Sequence, residues 1–186
     1  MRPLASQFQT LIAAYRARGL NNGDGMLPPV DQRVISEAEV LLGFSLPGPL
    51  LSIYELYGGQ KYIDPGTTGI LGRHRLLTPR EVASSWQMYE DAQRFPGAEI
   101  PPHGSVPGEN EWTWWHPALV PFANWDAYHL VICRHTRRIW EYEPYIGLSH
   151  IHYRDMDALL EAAMEAASSM DVPAIDFIGL EQQSAS

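Results

Sequence analysis

The apolar positions of this chain repeat with two different periods, and the switch between them predicts its elements. Near the start, Leu4, Phe8, Leu11, Ile12 and Tyr15 fall on one face of a 3.6-residue repeat, which predicts an amphipathic helix stopped by Gly19 and the "LNNGDG" run. Val34, Ala38 and Leu41, flanked by Ile35 and Leu42, form a second helical stripe, and Gly43 is placed to end it as a left-handed cap. Leu46, Leu50, Ile53, Tyr54 and Tyr57 continue at helical spacing until Gly58-Gly59, with Pro47 suited to the first turn. "DPGTTG" then marks a turn, and "ILGRHRLL" reads as a strand. "TPREVASSWQMYEDAQRF" opens with a strong helix start. Thr78 can cap, Pro79 fits the first helical position, and Glu81 completes a capping box; Val82, Trp86 and Tyr89 line the buried side.

After residue 111 the period shortens to two. "ALVPFA" reads as a strand with Pro121 at an edge or bulge, "NWDA" as a turn, and "YHLVICR" as a buried strand. "HT" turns the chain, and "RRIWEYE" alternates, with Arg138, Trp140 and Tyr142 on one face and Arg137, Ile139, Glu141 and Glu143 on the other. This register predicts Trp140 and Tyr142 in the core and both glutamates in solvent. "SHIHY" adds a short strand. A final helix follows, with Asp155 as its cap and Met156, Leu159, Leu160, Ala163 and Ala167 as its stripe. Between the helical and strand-rich parts, residues 95–111 hold seven Gly or Pro among seventeen, which predicts a long loop rather than a regular element. The order implies an α+β fold: one domain over residues 1–180, a mainly antiparallel sheet with flanking helices, and a disordered tail at 181–186.

Composition narrows the function. Thirteen Lys and Arg against 22 Asp and Glu leave a formal charge of −9, with no basic stripe to offset it, so a nucleic-acid partner is not expected and a basic protein partner is favoured. Cys133 is the only cysteine, which rules out an intrachain disulfide and fits a cytoplasmic location. No apolar run approaches transmembrane length, and the N-terminal residues lack the apolar core of a signal peptide, so no membrane association is expected.

Catalytic motifs are missing from the sequence. There is no P-loop, no dinucleotide fingerprint and no GxSxG elbow. Cys133 lies inside an apolar strand, where burial makes a thiol inert. His150 and His152 would share a strand face and could supply two metal ligands, but no CxxC or HExxH accompanies them, so neither metal nor cofactor is expected. The "NNGDG" run lacks the alternating acids of a calcium loop and reads as a turn. Asp126 with Glu141 or Glu143 could be read as a glycosidase pair, but acids on a solvated sheet face account for them better. Four of six tryptophans fall between Trp114 and Glu143. Trp114, Trp115 and Trp140 read as sheet and core residues, whereas Trp125, in a turn beside Asp126, is a candidate interface anchor.

Three stretches together resemble the SUKH superfamily, the Smi/Knr-like group. In "ISEAEVLLGFSLPGPLLSIYELYGG" the matching positions are Ile35, Glu39, Leu42, Gly43, Leu46, Pro47, Leu50, Tyr54 and Gly59. "GILGRHRLLTPREVASSW" is similar to the family's glycine-led strand and capped helix, and "WTWWHPALVPFANWDAYHLVI" to its tryptophan, Pro-Phe-Ala strand and acid-bearing turn. The likeness covers residues 30–168. The turn is "NWDA" where the family commonly has glycine-aspartate, and the 95–111 loop is longer than usual. The resemblance implies an immunity protein that binds and neutralises a cognate toxin, often a nuclease, and carries no catalytic residues. A basic toxin would then dock on an acidic face formed by Asp126, Glu141 and Glu143 with Trp125 as anchor, or on the long loop through Glu109 and Glu111. A regulatory scaffold of the same fold and a small metal-dependent enzyme are the alternatives. The oligomeric state is left open.

Overall fold

The computed structural model describes residues 3–62, 69–93, 115–144 and 147–168, without the side chains of His150 and Ile151. In chain order these residues form α1 (Leu4–Ala17), α2 (Gln32–Leu42), α3 (Gly48–Tyr54), β1 (Arg75–Leu76), α4 (Pro79–Gln93), β2 (Leu119–Trp125), β3 (Tyr128–Cys133), β4 (Ile139–Glu143), β5 (Gly147–Tyr153) and α5 (Met156–Ser168). The five strands pair in sequence order, β1-β2-β3-β4-β5, and every pair is antiparallel. The architecture is the expected α+β single domain. The long Gly/Pro loop, Glu109, Glu111, Trp114 and the C-terminal tail lie outside the described residues.

Local chemistry sets the helix ends. The Asp31 carboxylate accepts from the Arg33 amide (2.8 Å) at the start of α2, and Gly43 closes that helix at φ 75° with its N–H on the Glu39 carbonyl. The Glu39 side chain also accepts from the Leu46 amide at 2.9 Å, which fixes the path from α2 into α3. The α2 stripe differs from expectation. Ile35, Ala38 and Leu42 face the core, but Leu41 lies 47% exposed. The capping box of α4 forms as expected. Glu81 accepts from the Thr78 amide (2.8 Å) and hydroxyl (2.9 Å), and the Thr78 hydroxyl accepts from the Glu81 amide (3.3 Å). Arg75 donates to the same carboxylate from both terminal guanidinium nitrogens, Nη2 to Oε1 at 2.7 Å and Nη1 to Oε2 at 3.2 Å. Burial works against ionisation of Glu81, but the Arg75 and Thr78 bonds outweigh it and hold the carboxyl below its ordinary range.

The strand expected in "ILGRHRLL" shrinks to Arg75–Leu76, because Leu71 and His74 bond each other's backbone in a tight turn (3.0 and 3.1 Å). That turn is braced by the "NNGDG" run. Buried Asn22 donates to the Gly69 and Gly72 carbonyls, both at 2.9 Å, and Gln60 donates to the Asn22 and Asp24 carbonyls while accepting from the Ile70 amide. Through buried Asn22 the run serves as a structural clasp. Gly59 sits at φ 123° against Thr78, where an added Cβ would meet the Thr78 amide at 2.9 Å. The register of β2 slips between Pro121 and Ala123, so Pro121 stands at a bulge, beyond the two residues that β1 pairs.

Both faces of the sheet are covered. On one side Val120, Phe122, Leu130, Ile132 and Ile139 pack with residues of α1, α2, α3 and α5 in the main core. On the other, Leu119, Val131, Cys133, Trp140 and Tyr142 pack with Tyr89 and Trp115 in a smaller aromatic core, and Trp86 of α4 touches both. Trp140 (5% exposed) and Tyr142 (3%) are buried as expected. Glu141 is not in solvent; it is 8% exposed. The alternation along β4 holds, but it separates one core from another rather than core from water.

Candidate functional site

The site grows from the β2–β3 hairpin. Trp125 pairs with Tyr128, so the turn is only Asp126-Ala127, and the tryptophan is the last residue of a strand rather than part of a four-residue turn. Asp126 takes φ 53°, a left-handed conformation that its short polar side chain tolerates better than most. A two-residue turn brings the flanking rings together: Trp125 and Tyr128 stack with centroids 5.5 Å apart and planes 28° apart. The Arg73 guanidinium lies 4.3 Å from the Trp125 ring centre and 5.4 Å from that of Tyr128. Arg73 comes from the Leu71–His74 turn, so the glycine-rich clasp described above positions a cation over the hairpin tip.

Glu141 anchors the other side of Arg73. Its pairing with Leu130 turns it toward the main core. There its Oε1 accepts from Arg73 Nη2 at 3.0 Å, and His74 Nε2 also lies 3.0 Å away, close enough for electrostatic contact but off the line of a good hydrogen bond. His74 is fully buried. Burial drives its pKa below the ordinary value despite the neighbouring carboxylate, so the ring is neutral at neutral pH. For Glu141, burial opposes ionisation, and the His74 and Arg73 contacts prevail to keep it below the usual carboxylate range.

On the opposite sheet face, His129 Nδ1 lies 2.7 Å from the Tyr89 hydroxyl. Tyr89 packs edge-on against His129 and Tyr142, and Trp115 donates its indole N–H to Glu90 at 2.8 Å. Burial lowers the His129 pKa to about 4 and raises that of Tyr142 to about 12. With its proton on Nε2, the neutral imidazole accepts a hydrogen bond from the Tyr89 hydroxyl at Nδ1, which also lies 3.3 Å from the Ala127 carbonyl. The cluster is closed to solvent and fastens α4 to β3.

The structure brings together Trp125, Asp126 and Glu141, but in unequal roles. Trp125 is half-buried and stacked, Asp126 is exposed at the tip, and Glu141 is committed to Arg73 and His74, which corrects its expected place on a solvated acidic face. Glu143 is half-buried, with one carboxylate oxygen shielded and unbonded among the described residues. Glu109 and Glu111 lie outside the described residues. Sequence reasoning missed Arg73, His74 and Tyr128. Tyr128 was within reach, because a turn of two residues instead of four pairs it with Trp125; nothing in the "GRHR" stretch marks Arg73 as its cap. Among the described residues no cluster of three or more His, Cys, Asp or Glu could hold a metal, and no helix is long and apolar enough to cross a membrane.

The described residues form an antiparallel meander packed between helices, the α+β arrangement that the resemblance of the three sequence stretches implied. The match is now direct: the SMI1 / KNR4 family (SUKH-1) covers residues 29–161, and the chain belongs to it. That span takes in α2 to the first turns of α5, with the Glu39–Leu46 brace, the Thr78–Glu81 box and the Trp125 tip. No curated protein matches the chain.

Proposed function

We propose that this protein is an immunity protein, which binds a cognate toxin in the cytoplasm and neutralises it by direct contact, without catalytic residues or a cofactor of its own. The observation that carries this reading is the hairpin tip. Trp125, Tyr128 and Arg73 are the residue types that dominate protein interfaces, and here they form one half-buried stack whose cation is already tied to Glu141. Such a stack enters a complex with little left to order. Asp126, exposed beside it, and Glu143 supply negative charge on a chain of formal charge −9, which suits a basic toxin by steering encounter and fixing register. Glu141 acts indirectly, by holding Arg73 over the rings. Glu109 and Glu111, in the Gly/Pro-rich stretch 95–111 of the sequence, are the other acids proposed to meet the partner.

The test is co-expression with a candidate cognate toxin, sought among the products of the genes flanking this chain's own. Restored growth, together with a 1:1 complex of the purified proteins, supports the reading. Growth arrest that persists while the protein is expressed and folded contradicts it.

A further inference from the structure

The end of the sheet opposite Trp125 has a different chemistry. β3 and β4 are joined by Arg134-His135-Thr136-Arg137-Arg138, five exposed residues without an acid among them. The loop is tight: the Arg137 amide donates to the Cys133 carbonyl at 2.8 Å, and the Cys133 amide to the Arg138 carbonyl at 2.9 Å. Closing it requires one left-handed residue, and that residue is Arg137, at φ 63°. The described chain otherwise gives positive φ to glycines and to Asp126, the types that accept it readily. A long β-carbon-bearing cation is an unfavourable choice there, and a glycine would relieve it.

Charge sharpens the contrast. Arg33, Arg73, Arg75 and Arg154 each contact a carboxylate. Among the described residues no carboxylate bonds Arg134, Arg137 or Arg138, and the three repel one another within five positions. Arg134 also makes two side-chain contacts. Its guanidinium lies 4.5 Å from the centre of the Phe44 ring, just past the end of α2, and its Nε is 3.3 Å from His135 Nε2. The loop thus presents one guanidinium fork resting against a ring and two that meet no carboxylate among the described residues, held in a strained backbone on a chain of formal charge −9.

We infer that the 134–138 loop is a second docking surface, and that its partner is a short acidic peptide segment presenting Asp or Glu side chains. A guanidinium fork receives a carboxylate through two parallel hydrogen bonds. A phosphodiester chain could be gripped by the same forks, but it carries a charge about every 1.7 Å of duplex axis and would extend past a five-residue loop on a chain of formal charge −9. A peptide whose acids end within the loop's width avoids that repulsion. This surface does not depend on the toxin reading, since it lies at the far end of β3 and has the opposite charge.

The probe is a hexaglutamate peptide, titrated at low salt while backbone amide shifts are recorded. Shifts confined to residues 133–139, fading as salt is raised, support the inference. Arg137→Gly and Arg138→Gln together should weaken binding on the order of tenfold, whereas Lys61→Gln, an exposed cation elsewhere, should leave it unchanged. Arg137→Gly alone should also raise the melting temperature by roughly 2–4 °C, so weaker binding cannot be ascribed to unfolding. Overturning results are an absence of shifts at 133–139, unchanged affinity in the double variant, or tighter binding of an oligothymidylate than of the peptide at the same amides.

Discussion

Replacing Glu141 by alanine separates a buried brace from a surface acid. On a solvated face the change would fall within about 0.5 kcal/mol of neutral. In the structure Glu141 is 8% exposed and takes a 3.0 Å hydrogen bond from Arg73, with His74 at the same distance. A hydrogen bond to a charged group is worth about 1.5–3 kcal/mol. Arg73 keeps a quarter of its side chain in water and can recover part of its solvation. His74, neutral and without a well-aligned hydrogen bond to Glu141, adds little to the loss. The expected loss is therefore about 2 kcal/mol, and about 1 kcal/mol for Glu141→Gln, which keeps the shape and one acceptor. Urea unfolding followed by tryptophan fluorescence measures it, with the slope checked for constancy. A double-mutant cycle with Arg73→Ala should return a coupling of about 1 kcal/mol. Glu143→Ala, at a half-buried position, should cost less than Glu141→Ala. A Glu141→Ala protein within about 0.5 kcal/mol of wild type, at unchanged slope, refutes the brace.

Other outcomes follow from the same structure. Trp140→Ala should cost roughly 3–5 kcal/mol, since the ring is buried in the aromatic core; a loss below about 1 kcal/mol in urea unfolding contradicts that. Stability should fall as pH is lowered from 7.5 to 5. The folded His129 pKa of about 4 lies below the ordinary value of 6.5, so the unfolded chain takes the proton first, and His129 alone removes about 2 kcal/mol over that range. Buried His74 acts in the same direction, and the depressed carboxyls of Glu81 and Glu141 add their loss at still lower pH. A flat melting profile between pH 7.5 and 5 refutes the neutral buried rings, and His129→Gln should make the slope shallower. Gly59→Ala should lower expression or the melting temperature sharply, because both its φ of 123° and the contact with the Thr78 backbone exclude a Cβ.

Features set by neighbouring residues were legible in the sequence. The Thr78–Glu81 capping box, the Gly43 cap and the bulge at Pro121 each depend on a few consecutive positions, and each forms as expected. The meander followed from period-two runs joined by short turns. Features set by what packs above the sheet were not legible. Alternation placed Glu141 and Trp140 on opposite faces correctly, but only the structure shows that both faces are covered. Leu41 failed for a related reason: periodicity defines a stripe, while its rotation depends on where α4 and the core sit. The candidate site was half legible. Trp125 and Asp126 stood out as an aromatic and an acid in a turn. Their cap, Arg73, arrives from a turn more than fifty residues away that is held by Asn22 and Gln60, and no local pattern carries that information.

The central proposal is that the Trp125 tip meets a toxin, and calorimetric titration of a toxin that the protein neutralises on co-expression into wild-type and Trp125→Ala protein tests it most directly. Truncation should cost about 1–2 kcal/mol of stability, through lost stacking on Tyr128 and lost contact with Arg73, so the variant remains folded. The expected result is tight 1:1 binding by wild type and a loss of at least 2 kcal/mol, about thirtyfold in affinity, in the folded variant, as for an interface hot spot. Equal affinities for the two proteins would contradict it.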